Sequence, residues 1–294
     1  MSHNPLSPSS LHGTASATTP VVEADATITL PQRGAVQVRT YGQKKAGVAS
    51  PLVLHFHGGA FVDGDLDDGA MVSRMLAQCG AIVVSLAYPL APASPFPHAV
   101  DTGADVLDWM YKHRAKLAGR DARLYLAGEE AGGNIAAAVA LVARDRGHPP
   151  LAGQILISPM LDPCVGTASL RDATGDATGC KWADGWQGYL RCPQDTMHPY
   201  AVPASTLRLA QLPRTLVLTC QDDPMRDEAL AYARKLTDAG IQVTITVVGA
   251  PQGWPDTLMQ SPASPSECPG AAIVRQQFSN FFGETNPPLA PPPT

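Results

Sequence analysis

The chain has 294 residues, a formal net charge of −5, 45% hydrophobic residues and only 16% charged ones. That length buries a sizeable core, and an acidic balance without any Lys/Arg cluster excludes nucleic acid or an anionic membrane surface as the main partner. No apolar run reaches the roughly 18 residues of a membrane span, and the first Lys or Arg is Arg33, so no basic-then-apolar leader is expected and a cytoplasmic location is expected. In chain order, residues 1–35 are expected to form a flexible N-terminal or cap segment, beginning with a Ser-, Pro- and Thr-rich stretch over 1–20. Strands are predicted over 36–41, 51–57, 81–88, 122–127 and 153–158, alternating with helices over 70–79, 98–118 and 131–147. Residues 164–210 break this rhythm with two Trp and several Pro-containing turns, as a cap-like insertion would. The alternation resumes with a strand over 214–220, a helix over 226–239, a strand over 242–249 and a helix over 270–283. A Pro-rich tail over 284–294 closes the chain and is expected to be disordered or extended. Several of the strands are apolar throughout, the pattern of a parallel sheet covered on both faces by helices. The whole reads as a doubly wound α/β domain over 36–283, with ligand-binding groups at the carboxyl ends of its strands.

Two glycine-containing segments sit at those ends. His57-Gly58-Gly59-Ala60-Phe61 follows a strand directly, and its glycines let backbone N–H groups turn toward one point, as an oxyanion hole requires. Gly128-Glu129-Glu130-Ala131-Gly132 joins a strand to a helix in the frame of a nucleophile elbow, whose third position projects into the site. A third segment, Asp222-Asp223-Pro224-Met225-Arg226-Asp227-Glu228, follows a later strand, and the order of the three is that of an α/β-hydrolase. His55 and His57 form a His-x-His pair with no third ligand at recognisable spacing, so no metal and no cofactor are expected. The six cysteines are scattered without a CxxC pair and are expected to be thiols.

With HGGAF at 57–61, YPLAPASPFPHAV at 88–100, GEEAGGNIAAA at 128–138, SPMLDP at 158–163 and DPMRDE at 223–228, the chain resembles the hormone-sensitive-lipase-like carboxylesterases. The resemblance implies an α/β-hydrolase with a mostly parallel sheet of about eight strands, helices on both faces and a small cap. It also brings out departures. Glu130 stands where the family carries its nucleophilic serine. The turn that carries the family histidine corresponds here to Pro251-Gln252-Gly253-Trp254, and no histidine follows His198. Of the triad the resemblance leaves only the acid, Asp223.

A serine hydrolase needs a nucleophile, a base for its proton and an acid that orients the base. With the first two replaced, ordinary ester hydrolysis is expected to be absent. Glu130, Asp223 and Gln252 are expected to converge, with the Gln252 amide bridging the two carboxylates. Glu130 is expected to fold back onto the amides of Gly58, Gly59 and Ala131, with His57 and Trp254 completing the site. Three roles are open to Glu130: drift in a dead site, a ligand contact, or carboxylate chemistry of its own. They translate into two functions. One is a non-hydrolytic member that binds a small apolar ligand in the cleft, for which plant gibberellin receptors are a precedent in the family. The other is an enzyme with non-standard chemistry: a lyase, isomerase, cyclase or unusual hydrolase. Asp223 also has a plainer role as a cap for the helix that follows. The alternating strand near 242–248 is expected at a sheet edge, and the resemblance implies a homodimer formed there.

Overall fold

The computed structural model describes residues 20–174, 180–249, 252–259 and 270–284. The apolar runs Leu52–Phe56 (β3), Ile82–Leu86 (β4), Leu124–Glu129 (β5) and Thr215–Cys220 (β7) are buried along their full length, because both faces of the sheet are covered. With Glu23–Leu30 (β1), Gly34–Tyr41 (β2), Leu151–Ile157 (β6) and Val243–Val248 (β8) they form one sheet in the order β1-β2-β4-β3-β5-β6-β7-β8. β1, β2 and β4 pair antiparallel, and every pairing from β4 through β3 to β8 is parallel. This is the expected fold.

Helices α1 (Ala70–Gln78), α2 (His98–Leu117) and α3 (Ala131–Arg146) connect the early strands, and α6 (Arg226–Asp238) joins β7 to β8. Between β6 and β7 lie α4 (Ala168–Thr174) and α5 (Lys181–Tyr189), in the region read as a cap-like insertion. The short α7 (Asp256–Met259) and then α8 (Ala271–Gly283) follow β8. Every residue of α3 from Ala131 to Ala143 is buried. Its run of Ala and Gly lets the helix lie against the sheet without a bulky stripe. A Cβ at Gly132 would collide with the carbonyl oxygens of Phe56 and His57, so the first turn of α3 rests directly on the end of β3.

One expectation is corrected. Residues 1–35 were expected to be flexible, yet β1 pairs along its whole length with β2, from Glu23↔Tyr41 to Leu30↔Gly34. Only Ile28 and Leu30 of β1 are buried, so its side chains carry little of the apolar signal that marks the central strands. Backbone pairing and the Arg39–Asp25 and Arg74–Glu23 ion pairs hold it instead. The segment 1–19 and the tail from 285 onward lie outside the described residues. β8 sits at the sheet edge, as expected, with Ile245 and Val247 exposed. Cys79, Cys164, Cys180, Cys192 and Cys220 are free thiols, and no helix among the described residues is long and apolar enough to cross a membrane.

Candidate active site

β5 ends at Glu129 and α3 begins at Ala131, so Glu130 makes the entire turn. Its backbone has φ 53° and ψ −119°, a conformation that costs a non-glycine residue about 1–3 kcal/mol. Four backbone hydrogen bonds fix it there, among them one from the Asn134 amide to its carbonyl at 3.3 Å. Its amide donates to the Ile157 carbonyl at 3.0 Å, and its carbonyl accepts from Met160 at 2.9 Å and Gly133 at 3.1 Å. The sharp strand-to-helix turn expected from the Gly-x-x-x-Gly frame is therefore present, with a glutamate at its tip.

The carboxylate of Glu130 is fully buried and accepts from N–H groups on two different elements. Oε2 takes the amides of Gly59 at 2.5 Å and Ala60 at 2.8 Å, and Oε1 takes the indole N–H of Trp182 at 2.6 Å. The side chain does fold back into the hole, but through a different donor set from the expected one. Ala60 replaces Gly58 and Ala131, because the loop turns at Gly59, Ala60 and Phe61, all with positive φ, and aims the later amides inward. Trp182 comes from α5. That helix lies so close to the loop that a Cβ at Gly185 would collide with the Ala60 carbonyl. On the same side, Phe61 stacks on Tyr189 at 4.0 Å between ring centroids and meets Trp186 at 4.9 Å. Met259 of α7 covers Gly58 from another direction, where its sulfur would clash with an added Cβ.

The two histidines hold the loop. His57 stacks on Tyr88 at 4.3 Å, its Nδ1 lies 2.7 Å from the Gly58 carbonyl oxygen, and the Tyr88 hydroxyl donates to the His57 carbonyl at 2.9 Å. Burial lowers the pKa of His57, so the ring is neutral at pH 7. His55 points the other way, with Nε2 at 2.7 Å from Glu129 and Nδ1 at 3.0 Å from the Ser85 hydroxyl. Both rings are thus engaged by protein groups.

Asp223 and Gln252 do not complete the expected convergence. The backbone amide of Gln252 donates to the Asp222 carboxylate at 3.0 Å, and its side-chain amide donates to the Gly249 carbonyl. The bridge from Gln252 to Glu130 and Asp223 is therefore corrected: Asp222 captures the turn first and swings the side chain back along its own loop. Asp223 accepts from the Thr219 hydroxyl at 2.5 Å and from the Met225 amide at 2.8 Å. The latter contact closes a local turn before α6, whose first turn carries no side-chain cap, so Asp223 does not cap the helix. Burial pushes the Asp223 carboxyl up to about 6, against the opposing pull of those donors. Trp254 is buried in the core with Val248, Leu258 and Phe278. Trp182 reads from the sequence only as a residue that lines a pocket or holds the cap down, Ala60 only as part of the HGGAF segment, and Met259 carries no signal. The pair of Trp in the insertion was the available signal for the first, but its register over the sheet is not readable from spacing.

Two cavities, of about 210 and 580 Å³, share Arg144 and Gln211 near the far end of α3, away from Glu130. Among the described residues no Lys or Arg forms an ion pair with Glu130 or Asp223. The Glu130 side chain is therefore met by N–H donors and not by a Lys or Arg among the described residues.

A family model described as an alpha/beta hydrolase fold matches residues 53–251, more than half of the chain. The chain belongs to this family. A carboxylesterase of Mycobacterium tuberculosis, NlhH, is 34% identical over 217 residues, which cover 72% of this chain and 68% of the relative. The gibberellin receptor GID1A of Arabidopsis thaliana is 33% identical over 208 residues, covering 66% of this chain and 59% of the receptor. Among solved structures, a hyperthermophilic esterase of Pyrobaculum calidifontis superposes with a TM-score of 0.78 at 31% identity, over 88% of this chain and 86% of that one. The α/β-hydrolase family member described here is thus esterase-like in fold and motif order.

Proposed function

We propose that this family member does not hydrolyse esters by the serine route and instead binds a small apolar molecule at the site beneath α5. The observation that carries the reading is the Glu130 carboxylate, seated on the Gly59 and Ala60 amides where a substrate oxyanion would have to sit. An occupied hole cannot stabilise a developing charge. Glu130 stands at the nucleophile position, Asp223 at the acid and Gln252 in the turn of the base, and a glutamine side chain accepts no proton from a nucleophile. His57, Gly58, Gly59, Ala131 and Trp254 shape the surroundings of that site in this reading. Phe61, Trp186 and Tyr189 pack as a buried apolar aromatic cluster beside it, and a gibberellin receptor stands among the relatives. The enzymatic alternative, with Glu130 as nucleophile or base, is disfavoured because both of its oxygens are already engaged. In this reading the protein works in the cytoplasm without a cofactor, as a homodimer joined along β8.

The test is turnover on p-nitrophenyl esters of several acyl lengths, compared between the wild type and Glu130→Gly, together with thermal-shift screening of small hydrophobic ligands. Equal, background-level rates and at least one stabilising ligand are expected. Turnover of about 1–1000 per second that vanishes in the variant would overturn the proposal.

A further inference from the structure

The groups that hold Glu130 define a binding site of their own. Gly59 and Ala60 aim two amides at one oxygen, at 2.5 and 2.8 Å, and Trp182 aims its indole N–H at the second oxygen from 2.6 Å on the opposite side. Two converging amides suit a single oxyanion. A third donor on the second oxygen, contributed by a different helix, suits the paired oxygens of a carboxylate. The first turn of α3, a 16-residue helix, starts at the next residue and adds the positive end of its dipole. Glu130, Ala60 and Trp182 are buried and Gly59 is half-buried, and among the described residues no Lys or Arg forms an ion pair with Glu130.

We infer that Gly59, Ala60 and Trp182 form a carboxylate-binding site that the chain keeps filled with its own Glu130. The side chain is an autoinhibitory ligand and a specificity determinant: it turns away any molecule presenting a carboxylate or ester oxygen to the hole. Once Glu130 is removed, the vacated donors take a small monocarboxylate from acetate to butyrate, its alkyl end lying where the Glu130 side chain lay. The inference rests on the proposal that Glu130 occupies the hole. The two fail separately, since ester turnover by the wild type overturns that proposal and the titration below judges this one.

The test uses Glu130→Gly, because glycine adopts the positive φ of this position without strain. Melting temperature is followed against acetate, propionate and butyrate at constant ionic strength balanced with chloride, with far-UV circular dichroism to verify the fold. A saturable rise in the variant is expected, with no response in the wild type. Adding Trp182→Phe to Glu130→Gly should raise the half-saturating concentration at least tenfold. A folded variant without a saturable response would overturn the inference, as would an equal response in the wild type, an equal effect of chloride, or undiminished binding after loss of Trp182. Glu130→Ser carries the same test should Glu130→Gly not fold, and failure of both to fold even in added acetate also counts against it.

Discussion

Replacing Trp182 by Phe deletes one hydrogen-bond donor from the only helix that reaches down to the Glu130 carboxylate among the described residues. The bond is 2.6 Å long and joins a ring with 7% exposure to a fully buried carboxylate; the Lys181 ammonium lies over the Trp182 ring and pairs with Asp256 rather than with Glu130. Hydrogen bonds to charged groups contribute about 1.5–3 kcal/mol, and a buried acceptor left without its donor forfeits that amount. For a chain of this size each kcal/mol lowers Tm by about 2–4 °C, so a loss of about 2 kcal/mol corresponds to a fall of about 4–8 °C. Smaller packing around a phenyl ring would contribute as well, and a double-mutant cycle separates the two. In a Glu130→Gly background the packing loss remains but the hydrogen bond is already gone. Differential scanning calorimetry of the four proteins should therefore give a smaller effect of Trp182→Phe when Glu130 is absent, with a coupling of at least about 1 kcal/mol. An identical cost in both backgrounds would refute the pairing of Trp182 with Glu130.

Gly185→Ala should lower Tm, although the same change in an exposed helix gains about 1 kcal/mol; the added Cβ meets the Ala60 carbonyl, and overpacking of this kind costs about 1–3 kcal/mol. A raised Tm would show that α5 does not rest on the loop. Asp223 gives a pH signature with a definite sign: its folded pKa of about 6 exceeds the ordinary 3.8, so the folded chain binds the proton more tightly and stability declines as pH rises from about 4 to 6. The decline attributable to Asp223 is about 3 kcal/mol, and urea unfolding across that window should show a shallower slope in Asp223→Asn than in the wild type. Light scattering at micromolar concentration should report a dimer for the wild type and a monomer for Ile245→Lys, which places a charge on the exposed edge of β8; a monomeric wild type would contradict the dimer.

The central sheet was legible because strands buried on both faces and a helix buried all round leave long, uninterrupted apolar signals. The strand predicted over 214–220 lies at Thr215–Cys220, and the helix predicted over 131–147 at Ala131–Arg146. β1 was missed for the opposite reason. Five of its eight residues are exposed in succession, so backbone pairing with β2 places it and side-chain pattern does not. At the site, the glycine-bounded turn revealed where Glu130 would stand but not which amides its carboxylate would choose. That choice depends on the positive φ values of Ala60 and Phe61, which no residue type announces as glycine does. Gln252 was misplaced because Asp222, one position before the expected acid, holds its backbone. Trp182 reaches Glu130 from 52 positions along the chain, a contact set by how the insertion folds over the sheet.

The occupied hole can be observed directly by proton–nitrogen NMR of the wild type and Glu130→Gly, with the Trp182 indole resonance assigned from Trp182→Phe. Short hydrogen bonds to a buried carboxylate shift their protons downfield, so the Gly59 and Ala60 amides and the Trp182 indole should stand downfield in the wild type. All three should move upfield together when Glu130 is replaced by glycine in carboxylate-free buffer. Resonances that stay in place would mean that the carboxylate never lay on those donors, and would contradict the account.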